Sequence, residues 1–181
     1  MRKLAGIVGV LTLLLAGAVL LFGDPASAAE FREPRRTEAQ FFRLLNDERA
    51  RRGFGPLVRD SGLDAAAREW SNRMAVTYDR TRTVLAPGEH RSDCAYSALC
   101  HRPDLAAAIE TVEPAWRAGG ENVGTGFEPA ALHRAFVRSP GHLANIVGDW
   151  DRVGIGLVVR PGGRSWVSFV FLRGPVPTDP T

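Results

Sequence analysis

Apolar side chains recur at helical spacing through most of this chain and give way to two β-rich runs near its end. Between Thr37 and Gly53, Phe41, Phe42, Leu44 and Leu45 form a wide apolar stripe. Thr37 and Gln40 stand where a capping box would open that helix. Gly53 stands where it would close, because glycine supplies the left-handed turn after a helix. FGPLVRD then reads as a connection whose Leu57 and Val58 are candidates to plug a core. A second helix is predicted from Ser61, with Leu63, Ala67, Trp70 and Met74 as its core stripe. From Thr77 to Cys100 no period is visible, and the segment reads as a long loop. HRPDLAAAIETV predicts a short helix with Pro103 near its first position. AWRAGGENVGTGFEPAA is glycine-rich and predicts irregular chain or a short strand. Pro129 opens a helix carrying Leu132, Ala135, Phe136 and Val137. SPGHLANIV opens another, with Ser139 as cap, Pro140 at N1 and His142 at N3. DRVGIGLVVR and RSWVSFVFLR, flanking Pro161-Gly162-Gly163, predict a β-hairpin. Helices first and a hairpin last point to an α+β fold with an antiparallel sheet.

The first residues break this pattern. Arg2 and Lys3 precede an apolar run from Leu4 to Gly23, and Ala26-Ser27-Ala28-Ala29 follows. A basic start, an apolar centre and a small-x-small site are the marks of a secretory signal, with cleavage expected after Ala28. The run is also long enough to cross a bilayer as an uncleaved anchor. Either way the remainder is exported, because the positive charges sit before the run. The expected organisation is a signal or anchor over 1–28, a linker over 29–36, one domain over 37–173 and a disordered tail over 174–181. The only expected contact with a membrane is through the N-terminal segment.

Charge narrows the partners. Without Arg2, Lys3 and Asp24, the 23 basic and 20 acidic residues become 21 and 19, a balance that argues against nucleic acid. Lys3 is the only lysine, which reads as compositional bias. The domain is expected to be a monomer. Cys94 and Cys100, an even pair in an exported chain, suggest a disulfide closing a small loop; two free thiols are the alternative.

Four histidines are present. His90 and His133 read as solvent-exposed, His90 in a polar loop and His133 on the polar side of its helix. His101 directly follows Cys100, and His142 lies in a first helical turn, where the positive helix end disfavours an imidazolium. A neutral imidazole there accepts a proton or binds a metal. Glu121 follows two glycines that constrain its backbone, and the Asn122 amide is placed to brace the turn. His101, Glu121 and His142 are about twenty residues apart, which is no short metal motif. On residues alone, a cleft and a scatter of surface groups both stay open.

GGENVGTG, an Ala-rich helix, SPGHLANIV, DRVGIGLVV and SWVSFVF, in that order, resemble the CAP superfamily of cysteine-rich secretory proteins, venom antigens and plant pathogenesis-related proteins. FFRLLNDERARRGFGPLVRDSGLDAAAREWSNRMA resembles the opening of its bacterial branch, the SCP-like extracellular proteins. The resemblance covers about Thr37 to Phe171. It implies a three-layer α-β-α sandwich, with a three-stranded antiparallel sheet between helical layers. It also implies a cleft holding two histidines and two acidic residues. LCHRPDL places His101 as the first histidine, GEN gives Glu121 and SPGH gives His142. The second acidic position, three after Phe136, is Ser139 here, a departure that weakens a tight metal site. Ser139 is read instead as a helix cap with its hydroxyl taken up by backbone donors. By resemblance, His101, Glu121 and His142 could hold Zn²⁺ or another divalent metal, water completing the shell. The expected function is a secreted, non-enzymatic binding module for a lipid or cell-envelope ligand, its cleft formed by His101, Glu121, Asn122, Ser139 and His142. The alternative is a metal-dependent peptidase in which Glu121 serves as ligand or base. A third reading is a purely structural cell-wall domain.

Overall fold

A computed structural model describes residues 33–82, 84 and 98–175. The expected signal, His90, Cys94 and residues 176–181 lie outside the described residues. The described chain runs α1 (Pro34–Arg51), β1 (Val58–Arg59), α2 (Ser61–Thr81), α3 (Leu105–Val112), β2 (Ala118–Gly126), α4 (Pro129–Arg138), α5 (Pro140–Ile146), β3 (Arg152–Val159) and β4 (Ser165–Arg173).

Helix ends follow local chemistry. α1 begins at Pro34, inside the segment read as a linker, with Glu33 in the cap position. Proline sets the start because its missing N–H costs nothing at the first helical position. Thr37 is therefore not the cap; its hydroxyl donates to the Glu33 carbonyl at 3.4 Å. Gly53 does end the helix, at φ +81°, as Gly53 N–H bonds Ala50 O and Phe54 N–H bonds Arg49 O. α2 starts where expected, Asp60 Oδ1 accepting from Leu63 N–H at 2.9 Å. It continues to Thr81, so the long loop begins later than the sequence suggests.

The strand order is β1-β3-β4-β2. β3 and β2 both pair antiparallel with β4, while the two-residue β1 adds a parallel edge to β3. The expected three-stranded antiparallel sheet is thus present with one short strand added. Helices cover both faces. Val153, Ile155, Leu157, Val167, Phe169 and Phe171 pack with Phe41, Leu45, Leu132, Phe136 and Ile146 from α1, α4 and α5. Trp166, Val170 and Leu172 face α2 and α3, meeting Leu63, Ala67, Trp70, Met74 and Ile109. A strand covered on both sides reads as a near-continuous apolar run, as SWVSFVFL does.

AGGENVGTG forms a regular nine-residue strand and not irregular chain. Its glycines serve packing: a Cβ on Gly124 would meet Phe136 Cζ at 2.6 Å. Gly154 and Gly156 do the same for β3, where a Cβ would land on the α2 backbone at Leu63–Asp64 and Ala67–Arg68. Close approach of helix and sheet, rather than turn formation, accounts for these residues.

A buried charged cluster ties the layers together. Glu38, fully enclosed, accepts from Arg68 at 2.7 Å, Arg59 at 3.0 Å and Leu157 N–H at 3.2 Å. Asp64 accepts from Ile155 N–H at 2.7 Å and from Arg59. These carboxylates satisfy β3 amides while their own charges are neutralised, the condition under which buried ions are tolerated.

Two expectations change here. His133 is buried (4% exposed), on the same stripe as Pro129, Leu132 and Phe136, because α1 covers that face of α4. Burial pushes its imidazole below the ordinary 6.5, against an upward pull from Glu48 and Asp47. Neither ring nitrogen has a hydrogen-bond partner among the described residues. The tail expected to begin disorder at residue 174 is anchored there: Gly174 N–H donates to Asp151 Oδ2 at 2.7 Å.

Candidate functional site

Glu121 is the centre of the site. It pairs with Val170 across β2 and β4, so its side chain points to the α2/α3 face. Both of its oxygens are engaged. Oε2 accepts from Arg102 N–H at 2.8 Å and lies 3.1 Å from His101 Nδ1. Oε1 accepts from the Ser168 hydroxyl at 3.1 Å. The carboxylate is almost wholly enclosed, while the His101 side chain is 46% exposed.

The segment bearing His101 is held from several sides. Trp70 Nε1–H donates to Cys100 O at 3.0 Å. The Arg102 guanidinium reaches Glu69 at 2.8 Å, Asp104 at 2.9 Å and Ala66 O at 3.0 Å, and lies 5.9 Å from the centre of the Trp70 ring. These anchors fix the backbone on either side of His101. The Nδ1 edge of the ring faces the carboxylate. A buried acid thus fixes the orientation of a half-exposed imidazole, the arrangement that aims histidines at ligands elsewhere.

Asn122, the next residue, points the other way. It pairs with Phe169, faces α4 and α5, and is completely buried, so it cannot line a ligand surface as expected. Its Nδ2–H donates to His142 O at 2.9 Å. Its Oδ1 accepts from Asn145 Nδ2–H at 2.9 Å, and the same Asn145 amide donates to Glu121 O at 2.9 Å. Trp150 Nε1–H completes the chain on Asn145 O at 2.8 Å. Asn122 therefore braces, as the sequence suggests, but it braces α5 against β2.

His142 occupies the third position of α5, as expected, yet its ring packs edge-on against Phe136, centroids 4.9 Å apart. Its connection to Asn122 runs through its backbone carbonyl. Ser139 takes the cap position by conformation (φ −90°, ψ 118°), and its carbonyl accepts from Leu143 N–H at 2.9 Å. Its hydroxyl makes no cap hydrogen bond, contrary to expectation; the turn starts from the extended cap conformation and the fixed φ of Pro140.

His101 and Glu121 are thus brought together, and His142 and Asn122 are brought together, on opposite faces of one edge strand. Among the described residues, no group of three or more His, Cys, Asp and Glu side chains could hold a metal ion. The residues expected to bind Zn²⁺ do not fit that role in this arrangement. The proposed Cys94–Cys100 bridge cannot be placed, since Cys94 lies outside the described residues.

Three contributors escape a reading of the sequence: Arg102, Ser168 and Asn145. Ser168 interrupts SWVSFVF and Asn145 sits between Leu143 and Ile146. A polar residue inside an apolar run was the available signal, since a buried polar group needs a partner. Arg102 acts mainly through its backbone N–H, which no side-chain pattern reports.

The family model described as CAP, the cysteine-rich secretory protein family, matches residues 42–171. Among solved structures, an outer surface protein of Borrelia burgdorferi is similar at 13% identity and TM-score 0.57, with 79% of this chain and 96% of that one covered. A cysteine-rich secretory protein of Staphylococcus aureus is similar at 18% identity and TM-score 0.54, covering 79% of this chain and 40% of that one. An SCP-domain extracellular protein of Bacillus anthracis is similar at 17% identity and TM-score 0.53, covering 77% and 41%. The chain therefore spans about two fifths of those last two proteins. No curated protein matches it.

Proposed function

The chain belongs to the cysteine-rich secretory protein (CAP) family, and from that premise we propose that it is an exported, non-enzymatic binding module that works outside the cell or on its envelope. The observation that carries this reading is the 3.1 Å contact between His101 Nδ1 and the buried Glu121 carboxylate. Glu121 accepts from protein donors on both oxygens, which supports a role in holding His101. The half-exposed His101 ring is then the polar point of attachment for a lipid headgroup or another envelope ligand. Export is supported by the basic, apolar and small-residue order of the first 28 residues and by the outer-surface and extracellular names of the structural neighbours. The Cys94–Cys100 bridge belongs to the same reading, and a mass gain of two hydrogens on reduction of the exported protein tests it.

The functional test uses vesicles made from extracted envelope lipids, with His101→Ala beside the natural chain. Retention that falls at least about tenfold in the variant supports the reading. Steady cleavage of peptides, esters or glycans that disappears in His101→Ala overturns it.

A further inference from the structure

Beyond the other end of β2 from Glu121, a pocket of about 590 Å³ opens between the last turn of α2, the β3–β4 turn and the residue after β2. Tyr78, Asp79, Arg82, Phe127, Arg160 and Arg164 line it. Three guanidinium groups meet one carboxylate. Asp79 Oδ2 takes Arg160 Nε at 3.1 Å. Arg82 and Arg164 have no carboxylate partner among the described residues and instead lie over aromatic rings. Arg82 is 5.7 Å from the Tyr78 centroid, and Arg164 is 5.6 Å from the same ring and 4.8 Å from Phe127. Two cations therefore share one ring.

Each feature has a cost that the fold alone does not explain. Arg82 is the one non-glycine residue with positive φ (+55°) among the described residues, in a helix-ending position where glycine would be unstrained. Phe127 is 53% exposed. A cation at a helix C-terminus is favourable in itself, which accounts for Arg82 but not for Arg160 and Arg164, contributed by the hairpin turn. The rings attract the guanidinium groups without using their N–H donors, which stay weakly hydrated and suited to an anion.

We propose that this pocket binds an organic phosphate through its phosphoryl group. The edges of Arg82 and Arg164 grip the oxygens, Arg160 adds long-range attraction, and Tyr78 and Phe127 border the carbon skeleton. Two guanidinium groups without a carboxylate partner among the described residues match the charge of a phosphomonoester, and paired N–H donors match its oxygens. The volume is that of a small-molecule site, larger than a bare ion requires. A soluble phosphomonoester and a phospholipid headgroup present the same chemistry. The pocket shares no residue with the His101–Glu121 pair.

Glycerol 3-phosphate is titrated into the exported chain at low ionic strength by calorimetry. In parallel, the chain is mixed with vesicles of phosphatidylglycerol in phosphatidylcholine and with pure phosphatidylcholine vesicles. Arg164→Gln and Arg82→Gln are compared with Arg134→Gln, which removes the same charge from an exposed position on α4. The expected result is binding weakened at least about tenfold in either pocket variant and unchanged in Arg134→Gln. Arginine-dependent binding of glycerol 3-phosphate identifies a soluble ligand; arginine-dependent binding of the anionic vesicles alone identifies a headgroup; both support the site. Binding of neither probe, or equal weakening by all three variants, overturns it.

Discussion

Glu121 and Asn122 are neighbours in β2 whose side chains serve opposite faces of the sheet, one holding His101 and the other holding the α5 backbone at His142. Strand alternation makes this unavoidable, since successive side chains point to opposite sides. The His101 ring is joined to the first side chain and the His142 backbone to the second, and among the described residues no three His, Cys, Asp or Glu side chains gather as metal ligands.

Removing the carboxylate should cost stability as well as site geometry. Glu121→Ala leaves Arg102 N–H and the Ser168 hydroxyl facing a void, and an expected loss of about 2–4 kcal/mol follows from unsatisfied buried donors. Urea unfolding measures the loss, and the imidazole NMR signals of His101 should broaden or shift as the ring loses its brace. An unchanged midpoint would refute the brace.

Asn122 tests the other face. Asn122→Ala removes bonds to His142 O and Asn145, for an expected loss of about 1–3 kcal/mol. Asn122→Asp should be worse, because it sets an acceptor against the His142 carbonyl. Thermal unfolding of the two variants gives the order directly.

Glycine substitutions separate packing from backbone freedom. Gly156→Ala places a methyl group on the Ala67–Arg68 backbone, which cannot yield without moving α2, and about 3 kcal/mol or more should be lost. Gly141→Ala, in α5 with open space around its Cβ, should gain roughly 0.5–1 kcal/mol from helix propensity. Equal effects at the two positions would contradict the packing described.

His133 predicts an acid-sensitive component of stability. Its folded pKa lies below the ordinary 6.5, so the unfolded chain binds the proton more readily. Stability from the neutral ring is complete above 6.5 and is lost as pH falls from there toward the depressed folded value. His133→Leu should remove that component, so the variant's melting temperature should rise relative to the natural chain on acidification through this window. Glu48, Asp47, Arg51 and Arg134 act on the same ring and remain in both proteins, which makes the difference between the curves the quantity to read.

Nearest-neighbour chemistry was enough to place the α2 start, the turn at Gly53, the helix at Ser139-Pro140 and the β3–β4 hairpin. In each case the determining residues lie within one turn of one another, so their spacing carries the information. The ordered motifs likewise pointed to the α-β-α architecture and to His101, Glu121 and His142 as companions, of which the structure joins His101 and Glu121. Tertiary structure alone decided that the glycines of β2 and β3 receive helices, that α1 buries His133 and that Arg102 lends its N–H to Glu121. It also decided that the His142 ring rests on Phe136. These outcomes depend on sheet register and on which helix covers which face, relationships between residues tens of positions apart that no local period records.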